Sequence, residues 1–260
     1  MAQLKPQVSV IILSYNTRDI TLACIRSLYK FTQGVDFEVI VVDNASTDGS
    51  SQAIKKAFPR AKILVNEINL GFSGGNNQAA KHARGEYLFF LNSDTKLKQN
   101  SVKILLNWLN SHPEAAALGC KLVNPDGALQ YSFGFFPNLL QVAFWMLFLD
   151  DLPLVKRFFP AYHVEHPAQY QKDRSVDWVT GACIVIKKSA FEKVTGFDPK
   201  MFMYAEEVEL FYRLKQMSFK TFFTPATVIM HIGGASSTNT VRIVSEAKGL
   251  LYFYRKHLPP

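Results

Sequence analysis

The sequence lacks the features that mark disulfide-rich and membrane-spanning proteins. Its 260 residues contain three cysteines, Cys24, Cys120 and Cys183, which lie far apart and form no CxxC pair. Such a scattered, odd set argues against a disulfide framework and is typical of a reducing compartment. No apolar run reaches the roughly 18 residues that a membrane-spanning helix needs, and the run at residues 8–13 is too short for a signal peptide. We therefore expect a cytoplasmic protein.

Charged residues are also few, and blocks of basic residues are missing. Only 19% of the residues are charged, with a formal net charge of +8. An excess of positive charge favours an anionic partner, either a nucleic acid, a nucleotide-bearing substrate or a membrane surface. No cluster of lysine and arginine resembles a nucleic-acid-binding arm, so we expect no nucleic-acid partner.

The sequence does contain an alternation of apolar runs and helical segments. Apolar residues make up 48% of the chain, enough for a large core. Nearly continuous apolar runs predict strands at residues 8–13, 37–42, 61–65 and 87–91, and helical spacing predicts helices at residues 19–30, 50–58, 76–83 and 101–111. Buried strands that alternate with helices indicate an α/β fold with a mostly parallel, Rossmann-like sheet flanked by helices.

The second half of the chain has weaker structural signals. They predict a strand after a small-residue turn at residues 178–186, a helix at 205–216, a strand broken at Pro225 over 220–229, and a helix at 241–257. We expect one compact domain over residues 1–260, with two halves that meet near residue 120.

Polar side chains follow the predicted strands of the first half. They are Ser14, Tyr15 and Asn16 after the first strand, Asp43 and Asn44 after the second, and Asn92, Ser93 and Asp94 after the fourth. Ligands bind at the carboxyl ends of parallel strands, which makes these residues candidate contacts. Asp94 suits a divalent cation shared with a diphosphate, although this triplet also favours an Asx turn. The Asp43 carboxylate could accept a hydrogen bond from a base N–H or a ribose hydroxyl of a nucleotide. Its alternative role is to cap the helix that follows.

Three glycines follow the third predicted strand. Gly71, Gly74 and Gly75 predict a loop whose backbone can approach a ligand closely. The loop leads into a helix expected to start near Asn76, and the N–H groups at a helix start favour an anion. The pattern is neither GxGxxG nor a P-loop, and a flexible turn is the alternative interpretation.

The predicted helix at residues 205–216 carries three carboxylates. Glu207 shares a face with three apolar residues, so we expect it to point inward, where partial burial favours a general-base role. Glu209 lies four residues before Arg213, which is the spacing of a surface ion pair, and Glu206 lies between the two faces. His231 follows a strand; it could join a cation site, or it could be structural.

These motifs occur in a recognisable order along nearly the whole chain. The order is VSVIILSYN, VVDNASTDGS, NLGFSGGNN, FFLNSDT, WVTGACIVIKK, GFDPKMFMYAEEVELFYR and HIGGASS. It resembles bacterial family 2 glycosyltransferases of the GT-A fold, in particular the rhamnosyltransferase-like branch. The resemblance implies an inverting transferase that uses a nucleotide-activated sugar and Mg²⁺ or Mn²⁺.

The resemblance also implies a role for each candidate residue. It assigns the nucleotide to Ser14, Tyr15, Asn16, Asp43, Asn44, Gly71, Phe72, Gly74, Asn76, Asn92 and Ser93, the donor sugar and acceptor to Trp178, Gly181 and Ala182, the metal to Asp94 and His231, and catalysis to Glu207 with Glu206. Two positions depart from the family pattern. Asn92 replaces the first acid of the DxD motif, and Glu207 replaces the usual catalytic aspartate.

Donor, acceptor and location follow from the same resemblance. The family implies dTDP-rhamnose or a UDP-hexose as donor, and a saccharide or lipid-linked acceptor in surface polysaccharide synthesis. The apolar segment 139–149 either packs in the core or contacts the inner face of the cytoplasmic membrane, together with the basic aromatic end at residues 252–257. A nucleotidyltransferase and a non-catalytic sugar-nucleotide-binding module are the alternative functions.

Overall fold

The first half of the chain forms alternating strands and helices, as predicted. The computed structural model describes residues 5–136, 164–233 and 239–257. Its first elements are β1 (Val8–Ser14), α1 (Arg18–Phe31), β2 (Phe37–Asp43), α2 (Ser50–Ala57), β3 (Lys62–Val65), α3 (Gly71–His82), β4 (Tyr87–Leu91) and α4 (Ser101–Ser111). The four strands are parallel in the order β3-β2-β1-β4, and Ser14 lies opposite Asp43. Their carboxyl ends therefore meet at one edge.

The second half extends the same sheet. The short strand β5 (Thr95–Leu97) lies between β4 and α4 in the chain, and the later elements are β6 (Ala115–Val123), β7 (Leu129–Gln130), β8 (Phe133–Gly134), a 3₁₀ helix (Pro167–Tyr170), β9 (Arg174–Val176), β10 (Trp178–Val179), β11 (Cys183–Lys187), α5 (Lys188–Lys193), α6 (Glu206–Gln216), β12 (Lys220–His231) and α7 (Asn239–His257). The sheet continues from β4 through β11, β6 and β12 to β5, and β11 is antiparallel to both of its neighbours. One sheet thus runs through both halves.

Two apolar layers cover the two faces of this sheet. Phe90 of β4 points to the layer that contains α3, α6 and α7, whereas Phe89 points to the layer that contains α1 and α4. Successive strand residues alternate between faces, so a strand buried on both faces must be apolar throughout. This explains why the strands read as continuous apolar runs. The three cysteines are free and buried, as expected for small core residues.

Several boundaries differ from the sequence-based expectation. Strand β6 was not predicted, because its alanine-rich start has low strand propensity; pairing with β11 on one side and β12 on the other holds it in the sheet. The expected break at Pro225 is present as a register shift between Thr224 and Val228. The apolar segment 139–149 lies outside the described residues. Among the helices that the structure describes, none is long and apolar enough to cross a membrane.

Candidate functional site

Asp43 lies at the carboxyl end of β2 and is 1% exposed. Its Oδ1 accepts a hydrogen bond from the Ser46 backbone N–H at 2.8 Å, while Oδ2 is buried and has no hydrogen-bond partner among the described residues. A buried carboxylate oxygen without a partner costs free energy unless a bound group donates to it. Asp43 Oδ2 can therefore accept a hydrogen bond from a ligand N–H or hydroxyl, and its nucleotide contact stays a prediction.

The turn after β1 lies beside Asp43. Tyr15 is 40% exposed, and Asn16 has a left-handed backbone with φ of 52°. The Asn16 Oδ1 accepts a 2.8 Å hydrogen bond from the Thr47 N–H, and the Asn16 N–H donates to Ser46 Oγ at 3.0 Å. These bonds join the turns after β1 and β2, and they leave the Tyr15 ring exposed at the strand edge. An exposed ring in such a place can stack on a base.

Four residues predicted to contact the nucleotide instead lie inside the protein. The Ser14 hydroxyl is buried 3.0 Å from Thr21 Oγ1. The Asn44 amide donates to Asn69 Oδ1 at 2.7 Å and accepts from the Leu70 N–H at 3.0 Å. Phe72 packs in the core and accepts from the Asn76 amide through its carbonyl at 3.0 Å. These side chains bond and pack within the protein, and the nucleotide contact expected for the four residues stays a prediction.

The three glycines form the first turns of α3 rather than a loop before it. Gly71 has φ of +70°, and a Cβ there would lie 2.4 Å from the Phe202 carbonyl oxygen. A Cβ on Gly75 would lie 2.4 Å from Leu13 Cδ1 of β1, so this glycine allows α3 to pack closely on the sheet. The Phe72 N–H already donates to Phe202 O at 2.7 Å. Gly74 is partly exposed and stays a candidate for backbone contact with an anion.

The residues after β4 meet the end of β12. Asp94 Oδ1 lies 3.1 Å from His231 Nε2, and Asp94 Oδ2 accepts from the Gly233 N–H at 3.1 Å. Burial opposes ionisation of Asp94, but the hydrogen bond and charge of His231 outweigh it and hold the pKa of this carboxyl below its ordinary value. The Asn92 amide lies 3.5 Å from the same imidazole nitrogen. The structure thus brings together the two residues predicted to bind metal.

Gln130 of β7 orients this imidazole and was not predicted. Its Oε1 lies 2.6 Å from His231 Nδ1, a contact that requires the proton on Nδ1. Nε2 then faces Asp94: the protonated ring donates to the carboxylate, whereas the neutral ring has a lone pair there that suits a cation shared with Asp94. The Asn-Pro-Asp-Gly sequence at residues 124–127 predicts the hairpin that carries Gln130, but no local signal connects it with His231.

The fit of a divalent cation can be judged from these groups. Within the described part of the chain, no cluster of three His, Cys, Asp or Glu side chains could hold a metal. Asp94 and His231 provide one carboxylate oxygen and one imidazole nitrogen, both largely buried. Mg²⁺ and Mn²⁺ commonly bind through one or two protein groups together with substrate phosphates and water. The pair therefore fits a cation that arrives with a diphosphate.

Helix α6 presents its first two carboxylates differently. Tyr204 and Ala205, just before the helix, both have left-handed backbones with φ of 71° and 65°. Glu206 is 4% exposed; burial and the neighbouring charge of Glu207 raise the pKa of its carboxyl well above the ordinary value. Glu207 is half-buried, and its Oε1 accepts from the Gly181 N–H at 3.3 Å. The inward carboxylate is therefore Glu206, and Glu207 faces the turn at Gly181.

The Gly181–Ala182 turn connects the acidic pair with the end of β4. The Ala182 carbonyl accepts a hydrogen bond from the Asn92 N–H at 3.1 Å, and Gly181 donates to Glu207. Trp178, expected at the donor sugar and acceptor, has a buried ring, and its indole N–H donates to the Phe135 carbonyl at 3.0 Å; its expected role stays a prediction.

Glu209 is not part of a surface ion pair, contrary to the prediction. Its carboxylate is 0% exposed and contacts Arg213 Nη2 at 2.6 Å, Lys256 Nζ at 2.6 Å and His257 Nε2 at 3.0 Å. The predicted pairing with Arg213 is present, but the pair is buried beneath α7. Spacing along one helix predicted the partner and could not predict that a second helix covers it.

Comparison with known proteins identifies related sequences. The profile of the family described as "Glycosyl transferase family 2" matches residues 9–195. An N-acetylglucosaminyl-diphospho-decaprenol L-rhamnosyltransferase of Mycobacterium tuberculosis is 28% identical over 204 residues, covering 74% of this chain and 66% of that protein. The O-antigen biosynthesis protein RfbC of Myxococcus xanthus is 30% identical, covering 89% of this chain and 18% of that protein. The chain thus spans two thirds or less of the length of these relatives.

Solved structures also resemble this chain. The mannosyltransferase PcManGT of Pyrobaculum calidifontis, in complex with GDP-Man and Mn²⁺, superposes with a TM-score of 0.65 at 19% identity, over 99% of this chain and 66% of that one. GalNAc-T7 with UDP, GalNAc and Mn²⁺ gives a TM-score of 0.65 at 16% identity, over 97% of this chain and 50% of that one. At such low identity the likeness is one of fold.

Proposed function

We propose a specific activity for this chain, which belongs to glycosyl transferase family 2 and has the GT-A fold: it transfers a sugar from a nucleoside diphosphate-sugar to an acceptor hydroxyl, with inversion at the anomeric carbon. The observation that carries the proposal is the position of Glu207. Its carboxylate is anchored to the Gly181–Ala182 turn, which is bonded to the strand end that carries Asp94.

The donor is held at the carboxyl ends of β1, β2 and β4. Asp43 Oδ2 accepts from the nucleoside, and the exposed Tyr15 ring stacks on the base. Asp94 and His231 would hold Mg²⁺ or Mn²⁺ together with oxygens of the diphosphate. When bound, such a cation stabilises negative charge on the leaving diphosphate. The mycobacterial relative is named an L-rhamnosyltransferase, which favours dTDP-rhamnose over a UDP-hexose as donor.

Glu207 takes the proton from the acceptor hydroxyl. The hydroxyl oxygen forms a bond to the anomeric carbon on the face opposite the nucleotide, and the bond from that carbon to the diphosphate breaks. The raised pKa of the buried Glu206 favours its protonated form, so the more exposed Glu207 is the member of the pair that takes the proton. The acid pair distinguishes this activity from simple binding of a sugar nucleotide.

The acceptor is a saccharide or a lipid-linked saccharide of a surface polysaccharide. A mycobacterial relative is named for a decaprenol-linked substrate, and another relative is named for O-antigen biosynthesis. A lipid-linked acceptor would bring this chain to the inner face of the cytoplasmic membrane. The aromatic rings of Phe253 and Tyr254 are buried, however, so they do not supply the membrane contact expected at the C-terminal end.

Substitution of Glu207 by Gln tests the proposal. The amide keeps the shape of the side chain and cannot accept the proton, so turnover should fall about 10²- to 10⁴-fold while donor affinity changes little. Release of nucleoside diphosphate measures turnover, and calorimetry measures donor binding. Glu192→Gln, at an exposed glutamate of α5, is the matched control and should leave both unchanged. Near-normal turnover of Glu207→Gln would show that another group is the base.

A further inference from the structure

Helix α6 begins from a strained turn. Tyr204 and Ala205 are consecutive non-glycine residues with left-handed φ angles of 71° and 65°. This conformation is unfavourable for residues with a side chain, and it persists only where the surrounding structure imposes it. The next two residues are Glu206 and Glu207, so the geometry of the turn sets where the carboxylates lie.

Helix α7 packs directly against this turn through Gly249. A Cβ on Gly249 would lie 2.5 Å from the Tyr204 carbonyl oxygen and 3.1 Å from Ala205 Cβ. Gly249 sits inside a helix, where alanine is ordinarily the better residue. Only a residue without a side chain allows α7 to approach the turn this closely. The following residue, Leu250, is 1% exposed and packs in the core beside it.

A second contact joins the two helices one turn further along α6. The buried Glu209 carboxylate accepts from Lys256 Nζ at 2.6 Å and from His257 Nε2 at 3.0 Å, both from α7. Lys256 also bonds Asp198 Oδ2 at 2.7 Å, and the Tyr252 hydroxyl donates to the same oxygen at 2.8 Å. A buried carboxylate needs such partners, so α7 and α6 are held in one register.

We propose that α7 positions the base of the transferase: Gly249 sets the turn before α6, and Lys256 fixes α6 through Glu209. The proposal rests on the function proposed above for Glu207. These are positioning residues, since none of them lies at the reacting atoms. A displacement of about 1 Å between reacting groups can cost on the order of 10²-fold in rate. Loss of either contact should therefore lower kcat and leave donor binding intact.

Gly249→Ala tests the first contact. If α7 only stabilised the fold, the clash with the Tyr204 carbonyl would lower the unfolding temperature and leave the kcat of the folded enzyme unchanged. Positioning instead predicts that kcat falls about tenfold or more while the donor dissociation constant stays within about twofold. Leu251→Ala, at an exposed residue of the same helix, is the control and should leave kcat unchanged. An unchanged kcat for Gly249→Ala would overturn the role of this contact.

Lys256 provides an independent test that does not alter the packing at Gly249. Lys256→Gln removes the charge that bridges Glu209 and Asp198, and it should lower kcat severalfold at unchanged donor affinity; Lys256→Arg should restore most of the loss. Equal kcat in the Gln and Arg variants would refute positioning through Glu209. The outcome is separable from the function itself. If Glu207→Gln is inactive but the α7 variants turn over normally, only the positioning role fails.

Discussion

At the scale of single residues, two adjacent glutamates have different chemical states. Glu206 is enclosed by protein, and burial together with the charge of Glu207 raises the pKa of its carboxyl. Glu207 is half-buried and receives a hydrogen bond from Gly181. Neighbouring acids whose environments separate their proton affinities are a common basis for assigning an acid and a base. The raised pKa of Glu206 favours its neutral form, which leaves Glu207 as the better candidate for the base.

This difference predicts how Glu206→Gln changes stability with pH. A carboxyl whose folded pKa is raised loses stability as pH rises from the ordinary glutamate value, about 4.3, toward the raised value, by at most about 1.4 kcal/mol per pH unit. Glutamine has no such loss, so the stability advantage of the variant over the parent should be larger at pH 8 than at pH 5. Urea unfolding at both values measures this. A gain that does not depend on pH would mean that Glu206 is ionised in the folded protein.

Residue type and position in the sequence indicate where the residues of the proposed site lie. Asp43, Asp94 and Glu207 were assigned from their places at strand ends and on a helix face, and the structure brings each of them to the same edge. Asn44 and Asn76 have equally polar side chains at equally suitable positions, yet both amides bond inside the protein. Sequence position indicates that a side chain is near the edge, whereas the packing around it decides which way it points.

At the scale of elements, α3 shows how close packing sets a helix start. The sequence predicted a loop at Gly71 to Gly75 because glycine is rare within helices. In the structure these glycines lie in the helix, since α3 approaches both β1 and the segment at Phe202 too closely for side chains. The propensity rule failed here because the cost of glycine in a helix is offset by contacts with distant residues.

A pair of glycine substitutions separates backbone strain from close contact. Gly71 and Gly49 both have positive φ, but a Cβ on Gly71 would overlap the Phe202 carbonyl, whereas a Cβ on Gly49 would meet nothing within 4 Å. Gly49→Ala should therefore cost about 1–2 kcal/mol from backbone strain alone. Gly71→Ala should cost clearly more and should also weaken donor binding. Equal losses of unfolding free energy in the two variants would contradict the contact with Phe202.

At the scale of the whole molecule, one sheet connects the two halves of the site. The antiparallel strand β11 lies between β4 and β6, and β6 pairs with β12, which ends at His231. Asp94 and His231, distant in sequence, therefore approach to 3.1 Å. The proposed site depends on the complete sheet, because neither half of the chain contains the proposed donor-binding edge, the Asp94–His231 pair and the Glu206–Glu207 pair together.

Ligand-induced stabilisation of the whole protein tests the predicted donor and cation. A ligand at 100 times its dissociation constant stabilises the folded state by about 2.7 kcal/mol, which for a domain of this size is a shift of several degrees in the unfolding temperature. We expect dTDP- or UDP-sugars to produce such a shift with Mn²⁺ or Mg²⁺, and EDTA to reduce it. In the Asp94→Asn variant, the part of the temperature shift that depends on the cation should disappear, and the part that the donor produces alone should remain. A full shift in EDTA would argue against a cation between the donor and Asp94.

The sequence by itself determined the α/β alternation, the parallel strands of the first half and the strand ends that carry Asp43 and Asp94. These follow from local periodicity, because a strand buried on both faces must be apolar and a helix must repeat its apolar face. Only the tertiary structure decided that β6 is a strand, that Gln130 orients His231, that Glu206 rather than Glu207 is enclosed, and that α7 covers Glu209. Each of these depends on contacts between segments far apart in the chain, and local sequence patterns contain no information about such contacts.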